Sequence, residues 1–271
     1  MLQSDFHMHS NFSGDSKASL GHMIHGAVAK GLNTICFTDH NDPSFPYLKG
    51  EEGMFDLNTD RYMECVQSAA ELYKEQITIC RGVEIGIQTH IYKELSDYVH
   101  KYPFDFVIGS SHLCLGTDPY QPSFWEGRSL KDSLLLYFED IQQNVHSFTD
   151  YDVYGHLDYI VRYAPNLNAD FRFSDYSDIL EDILKTIIDN GKGIEANSAG
   201  FRHGLNAPNP CIDILKLYRS LGGEILTTGS DAHKPEDIAY GYERLEPLLH
   251  QCGFKYYTVF KKRKPEFIKI D

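Results

Sequence analysis

Basic residues are scarce in this sequence: 25 lysines and arginines face 39 aspartates and glutamates, a formal net charge of −14. A balance that acidic argues against a nucleic-acid-coating or membrane-surface protein, although carboxylates that bind cations would have part of their charge cancelled. The six cysteines (Cys36, Cys65, Cys80, Cys114, Cys211 and Cys252) include no C-x-x-C pair and no dense framework, so they read as reduced thiols. No apolar run reaches the roughly 18 residues of a membrane span. The N-terminus lacks the basic-then-apolar order of a signal peptide, and no linker, repeat or low-complexity tract is present. The chain of 271 residues, 42% apolar, can bury a sizeable core as one domain over residues 1–271, with the cytoplasm as its expected location.

Short β-branched runs alternate with amphipathic stretches. The expected strands are residues 2–8, Thr34–His40, Ile77–Gly86, Phe104–His112, Tyr151–Asp158, Gly193–Ser198 and Glu224–His233. Helical spacing falls between them: LGHMIHGAVAKG, which stops at Gly31, then Asn58–Gln76, Ser129–Ser147, Ser174–Asn190, Pro210–Leu221 and Pro235–His250. Strands that alternate with helices pair in parallel through right-handed crossovers. An α/β fold follows, and a seven-stranded (β/α)7 TIM-like barrel is its simplest closed form. A doubly wound open sheet is the other arrangement compatible with this order.

Polar residues gather at one end of these strands. Reading each strand to its C-terminal end gives His7 and His9, Asp39 and His40, Glu84, His112, His156, Asn197, and finally Asp231 with His233. Barrels of this kind build their active sites at that rim. The opening stretch DFHMHSNFSGD sets His7 and His9 on one strand face, with Asp15 on the loop that follows. One histidine ending a strand is ordinarily a hydrogen-bonded core or surface residue. Six of the thirteen histidines at equivalent ends, beside Asp15, Glu84 and Asp231, form a ligand set suited to zinc, manganese or iron. His22 and His25 read as an amphipathic surface helix, Cys114 as packing, and KKRK (261–264) as a solvated tail segment.

The ordered motifs HMHS, SGD, TDH, GVE, SSH, GHLD and SDAH, spanning residues 5–233, resemble the metal-binding motifs of the PHP (polymerase and histidinol phosphatase) family. Chain length and the segment IEANSAGFR are most similar to its monofunctional histidinol-phosphatase branch. The resemblance implies a distorted seven-stranded barrel with a trinuclear centre of divalent transition metals at the C-terminal rim. It places His7, His9, Glu84 and Asp231 on one metal, Glu84, His112 and His156 on a second, and Asp15, His40 and His233 on a third. Glu84, Asp231 and His233 are the expected catalytic members of that set. Asp5, Asp39 and Asp158 neighbour these positions and are expected to orient the ligands.

The implied activity is metal-dependent hydrolysis of L-histidinol phosphate, in line, by hydroxide that metal generates by lowering the pKa of water to about 7. The partner is then a small phosphorylated metabolite, inorganic phosphate is the product, and no nucleic acid or membrane takes part. Arg162 and Arg202, shortly after rim strands, are the expected phosphate grips, with Asn197 and Ser198 as further substrate contacts. Two long rim loops, residues 41–57 (Asp42, Phe45, Glu51, Glu52, Asp56) and 114–127 (Asp118, Tyr120, Trp125, Glu126), are expected to meet the rest of the substrate. A nucleotide phosphatase is the alternative. A nuclease would need a basic groove, and a non-enzymatic metal-binding module would be expected to lack some ligands.

Overall fold

The computed structural model describes residues 2–165 and 171–270. Its strands β1 (Ser4–Met8), β2 (Thr34–Phe37), β3 (His40–Asn41), β4 (Thr78–Gly86), β5 (Phe106–Ser110), β6 (Val153–Tyr154), β7 (Gly193–Asn197) and β8 (Leu226–Gly229) pair throughout in parallel. Their order is β1-β2-β4-β5-β6-β7-β8, with the two-residue β3 also set against β4. The ends of the sheet meet: Asp231 N–H donates to the His7 carbonyl (2.8 Å) and His9 N–H to that of Ala232 (2.9 Å). The result is a nearly closed barrel of seven parallel strands rather than an open sheet.

Helices α1 (Leu20–Ala29), α2 (Thr59–Tyr73), α3 (Tyr92–Lys101), α4 (Leu130–Ser147), α5 (Ser177–Asp189), α6 (Ala199–Arg202), α7 (Ile212–Ser220) and α8 (Tyr242–Gln251) connect and follow these strands. Local chemistry sets several boundaries. Ser19 and Ser129 cap α1 and α4 by accepting from the N–H groups of His22 and Asp132, and Asn58 caps α2 through that of Arg61. Gly31, at φ +75°, ends the first helical segment in the left-handed conformation that glycine adopts at no steric cost. In α5, Leu180, Ile183, Leu184 and Ile187 form the buried stripe that the sequence period requires.

A second apolar cluster lies apart from the main core. Phe6, Cys36, Cys80, Phe106, Ile108 and Val153 come from five barrel strands and meet Phe260 of a terminal antiparallel hairpin, β9 (Tyr256–Lys261) and β10 (Lys264–Lys269). Phe260 thus plugs the barrel interior opposite the rim. The basic run 261–264 is consequently the turn of this hairpin rather than a tail, with its three lysines exposed as expected of a solvated segment. Lys262 and Arg263 both take positive φ (51° and 62°), as a two-residue hairpin turn demands. The main-chain N–H groups of Lys262 and Arg263 donate to Asp105, and the Arg263 guanidinium donates to Asp152.

Strand bodies fall where the sequence places them, but the rim ends are shorter. β6 keeps two residues of the eight expected, and β8 stops at Gly229 instead of running to His233. There the backbone leaves the ladder to aim side chains inward. The expected helix Pro235–His250 divides into a single turn, Pro235–Asp237, and α8, with Ala239 and Gly241 at positive φ between them. Among the described residues no helix is long and apolar enough to cross a membrane.

Candidate metal centre

Glu84, near the end of β4, is fully buried and stands at the middle of the rim. Its Oε1 lies 3.0 Å from His112 Nε2 and 3.0 Å from His156 Nε2. Its Oε2 lies 3.1 Å from His7 Nε2, 3.2 Å from His40 Nδ1 and 3.5 Å from His9 Nε2. Asp231 Oδ1 faces the other side of the first pair, 3.7 Å from His7 Nε2 and 3.5 Å from His9 Nε2. Nearer the cavity mouth, Asp15 Oδ2 sits 3.0 Å from His233 Nε2 and 3.6 Å from His40 Nε2. All nine expected ligands are therefore gathered at one place. Four overlapping trios have ligand atoms within 4.8 Å of one another: His7–His9–Glu84, His7–His156–Asp231, His40–Glu84–His112 and His9–His40–His233. His40 faces both ways, toward Glu84 through Nδ1 and toward Asp15 through Nε2.

These donors fit divalent cations. His9 Nε2 and His40 Nδ1 are buried without any hydrogen bond, yet each faces carboxylate oxygen at no more than 3.5 Å. Unpaired buried nitrogen is costly, and a cation between the imidazole and the carboxylate would satisfy both. Burial alone would raise the Glu84 carboxyl, but the imidazoles of His7, His112 and His40 hold it well below the usual range. Burial opposes Asp231 in the same way, and His7, His9 and Arg162 keep it ionised. Burial and the neighbouring His40 and His233 push His9 down to about 3, so its ring is neutral and a lone pair is available. Asp231 is also held at φ +54°, an uncommon conformation for a non-glycine residue. Its N–H bond to His7 and the Arg162 guanidinium, 2.9 Å from Oδ2, fix it there.

Six of the nine (Asp15, His40, His112, His156, Asp231 and His233) line a cavity of about 750 Å³, and His7, His9 and Glu84 lie fully buried behind them. Arg162 and Arg202 both line the cavity. Arg162 is buried and donates from Nε to Asn209, from Nη1 to Asp231 and from Nη2 to Asn197. That leaves an N–H on each terminal nitrogen, since guanidinium carries five donors. Arg202 donates to the carbonyls of Ser230 and Asp231. Asn197 and Ser198 are placed differently from expectation: both are fully buried behind the cavity and neither lines it. The Asn197 side chain instead accepts from Arg162 and from the N–H of Ala199.

Of the loop residues, Asp42, Phe45, Glu51, Asp118 and Tyr120 reach the cavity, whereas Glu52, Asp56, Trp125 and Glu126 are not among its lining residues. Trp125 donates its indole N–H to the Pro119 carbonyl, so it braces its own loop. Asp42 does more than line the wall, for its Oδ2 is 2.7 Å from His112 Nδ1. Residues that sequence reasoning did not single out are Tyr159 and Tyr163 in the wall and Glu195 beneath the floor, whose Oε1 is 2.7 Å from His7 Nδ1. The signal for Glu195 was its place two residues before Asn197 on one strand face. Asp39 accepts from Ser10 and Ser13, and Asp5 from the Ser230 N–H, bonds that pin the loops carrying His9 and Asp231.

A PHP domain matches residues 5–199, and the chain belongs to that family. Over 268 residues it is 30% identical to a histidinol-phosphatase of Lactococcus lactis, covering 97% of this chain and 96% of that one. A probable histidinol-phosphatase of Thermotoga maritima is 31% identical over 260 residues, with 96% of each covered. The crystal structure of histidinol phosphate phosphatase from Lactococcus lactis, complexed with zinc, L-histidinol and phosphate, superposes with a TM-score of 0.90 at 29% identity, over 98% of this chain and 100% of that one.

Proposed function

We infer that this chain is a phosphoric monoester hydrolase, a metal-dependent histidinol-phosphatase that converts L-histidinol phosphate to L-histidinol and phosphate. The observation that carries the reading is the convergence of nine imidazole and carboxylate donors at a cavity that six of them and two arginines line. The full-length likeness to curated histidinol-phosphatases supports the choice of substrate. The whole described chain, read as one domain, serves this site, and a cytoplasmic location suits a soluble biosynthetic step.

We assign three metals: one to His7, His9, Glu84 and Asp231, one to Glu84, His112 and His156, and one to Asp15, His40 and His233. When bound, such metals supply Lewis-acid charge and lower the pKa of the water they hold, whether the ion is zinc, manganese or iron. Glu84 suits a bridging role because its two oxygens face different imidazoles. Arg162, already locked on three sides, offers its remaining N–H groups to phosphoryl oxygens without having to be ordered first. Arg202 adds a second positive charge on the same wall. Neither arginine can lose its proton, so both stabilise a phosphoryl group throughout its transfer.

The rest of the cavity suits the remainder of the substrate. Asp42, Asp118 and Glu51 offer negative charge to an ammonium group, and Phe45, Phe55, Tyr159 and Tyr163 offer flat faces to an imidazole. A polyanionic nucleic acid would meet those same carboxylates, which disfavours it as a partner. The test is phosphate release from a panel of phosphorylated metabolites, with metal content measured on the same sample. Histidinol phosphate should be turned over far faster than nucleotides, and chelation should abolish the activity. Comparable rates on nucleotides would overturn the assignment.

A further inference from the structure

Glu195 lies outside the nine candidate ligands, is almost fully buried on β7, and spends its side chain on residues of the centre. Its Oε1 is 2.7 Å from His7 Nδ1. Its Oε2 accepts from the backbone N–H of His156 at 2.9 Å and from Asn197 Nδ2 at 3.1 Å. A carboxylate this deep is costly unless donors satisfy both oxygens, and here they do. The barrel also makes room for it. A Cβ at Gly229 of β8 would fall 2.2 Å from Glu195 Oε1 and 2.4 Å from the His7 Cβ, so the neighbouring strand carries no side chain where this pair sits.

We propose that Glu195 is a positioning residue for the metal centre. It accepts the Nδ1–H of His7, which fixes the ring tautomer and leaves the Nε2 lone pair aimed at the space between Glu84 and Asp231. Through the His156 N–H it also anchors the strand end that carries a ligand of another metal. His112 has an equivalent imidazole partner in Asp42, and Glu195 differs from Asp42 in also accepting from the backbone of a residue assigned to another metal. This inference rests on the metal-centre reading above.

Two variants test it. Glu195→Gln keeps the size but presents an NH₂ at one end, so either the His7 Nδ1–H or the His156 N–H must meet another donor. Glu195→Asp keeps the charge but is one methylene too short to reach both. For each, zinc affinity measured by competition with a chelator should fall by about 10- to 100-fold. The metal-free variants should still melt cooperatively, a few degrees below the metal-free parent for the buried donor left unmet, so affinity is compared on folded protein. A long-range ¹H–¹⁵N correlation on the zinc-loaded parent should find His7 protonated at Nδ1, and this readout stands even if a variant fails to fold. Parental zinc affinity in both variants, or an unprotonated His7 Nδ1, would overturn the proposal. A parent protein that binds no zinc would instead overturn the metal-centre reading beneath it.

Discussion

Each oxygen of the Glu84 carboxylate faces at least two imidazoles, His112 and His156 on one side and His7, His40 and His9 on the other. Glu84→Gln should therefore release about two metal equivalents together, because one amide end can no longer act as an anionic ligand. Metal analysis of the purified variant checks this, and loss of a single equivalent would refute the bridging role. At this scale the candidate ligands were legible, because a histidine or carboxylate at a strand end announces itself in the chain. Their partners were not. Asp42 reads in sequence as an ordinary loop acid and Glu195 as a polar residue on a strand. Only the closure of the barrel brings them to His112 Nδ1 and His7 Nδ1. Asn197 and Ser198 failed as cavity residues for a related reason: the chain turns into α6 immediately after β7 and leaves both side chains behind the wall.

Long elements with many buried residues were readable, and short or exposed ones were not. α4 declares itself through its Ser129 cap and a buried stripe, and α5 through its stripe. α3 is amphipathic but only ten residues long, and its apolar face is a short one with only Leu95 and Val99 buried. β10 is exposed along its whole length, so KPEFIK carries no alternation that would mark it as a strand. Its hairpin nonetheless delivers Phe260 into the barrel interior, in contact range of Phe106 with ring centroids 5.0 Å apart. Phe260→Ala should cost about 3–5 kcal/mol, since the cavity left among Phe6, Cys36 and Cys80 is walled by a rigid barrel that cannot collapse. Denaturant unfolding of the metal-free protein measures this. A cost under about 1 kcal/mol would mean that the hairpin only lies against the barrel and does not plug it.

The barrel as a whole has a seam where β1 meets the segment after β8, and the candidate ligands straddle it. His7 and His9 stand on one side, Asp231 and His233 on the other, with Asp231 N–H and His9 N–H supplying hydrogen bonds across. The expected barrel and the metal assigned jointly to His7, His9 and Asp231 already set the first and last motifs together, and the structure adds the backbone hydrogen bonds that join them. Metals held as proposed would tie the two ends of the sheet together as well as serve the chemistry. Ligand bound only to the folded state at about 100 times its dissociation constant adds about 2.7 kcal/mol. In a chain of this size that corresponds to roughly 5–10 °C in melting temperature, so chelation should lower the midpoint by about that much and added zinc should restore it. The loss should also be local. Amide hydrogen exchange at His9 and Asp231 should accelerate on chelation, while the amides that pair Ile35 and Cys36 of β2 with β4 at the end of the barrel away from the rim keep their protection. Uniform acceleration around the barrel would mean that the metals stabilise the fold globally, and unchanged exchange at the seam would separate metal binding from barrel closure altogether.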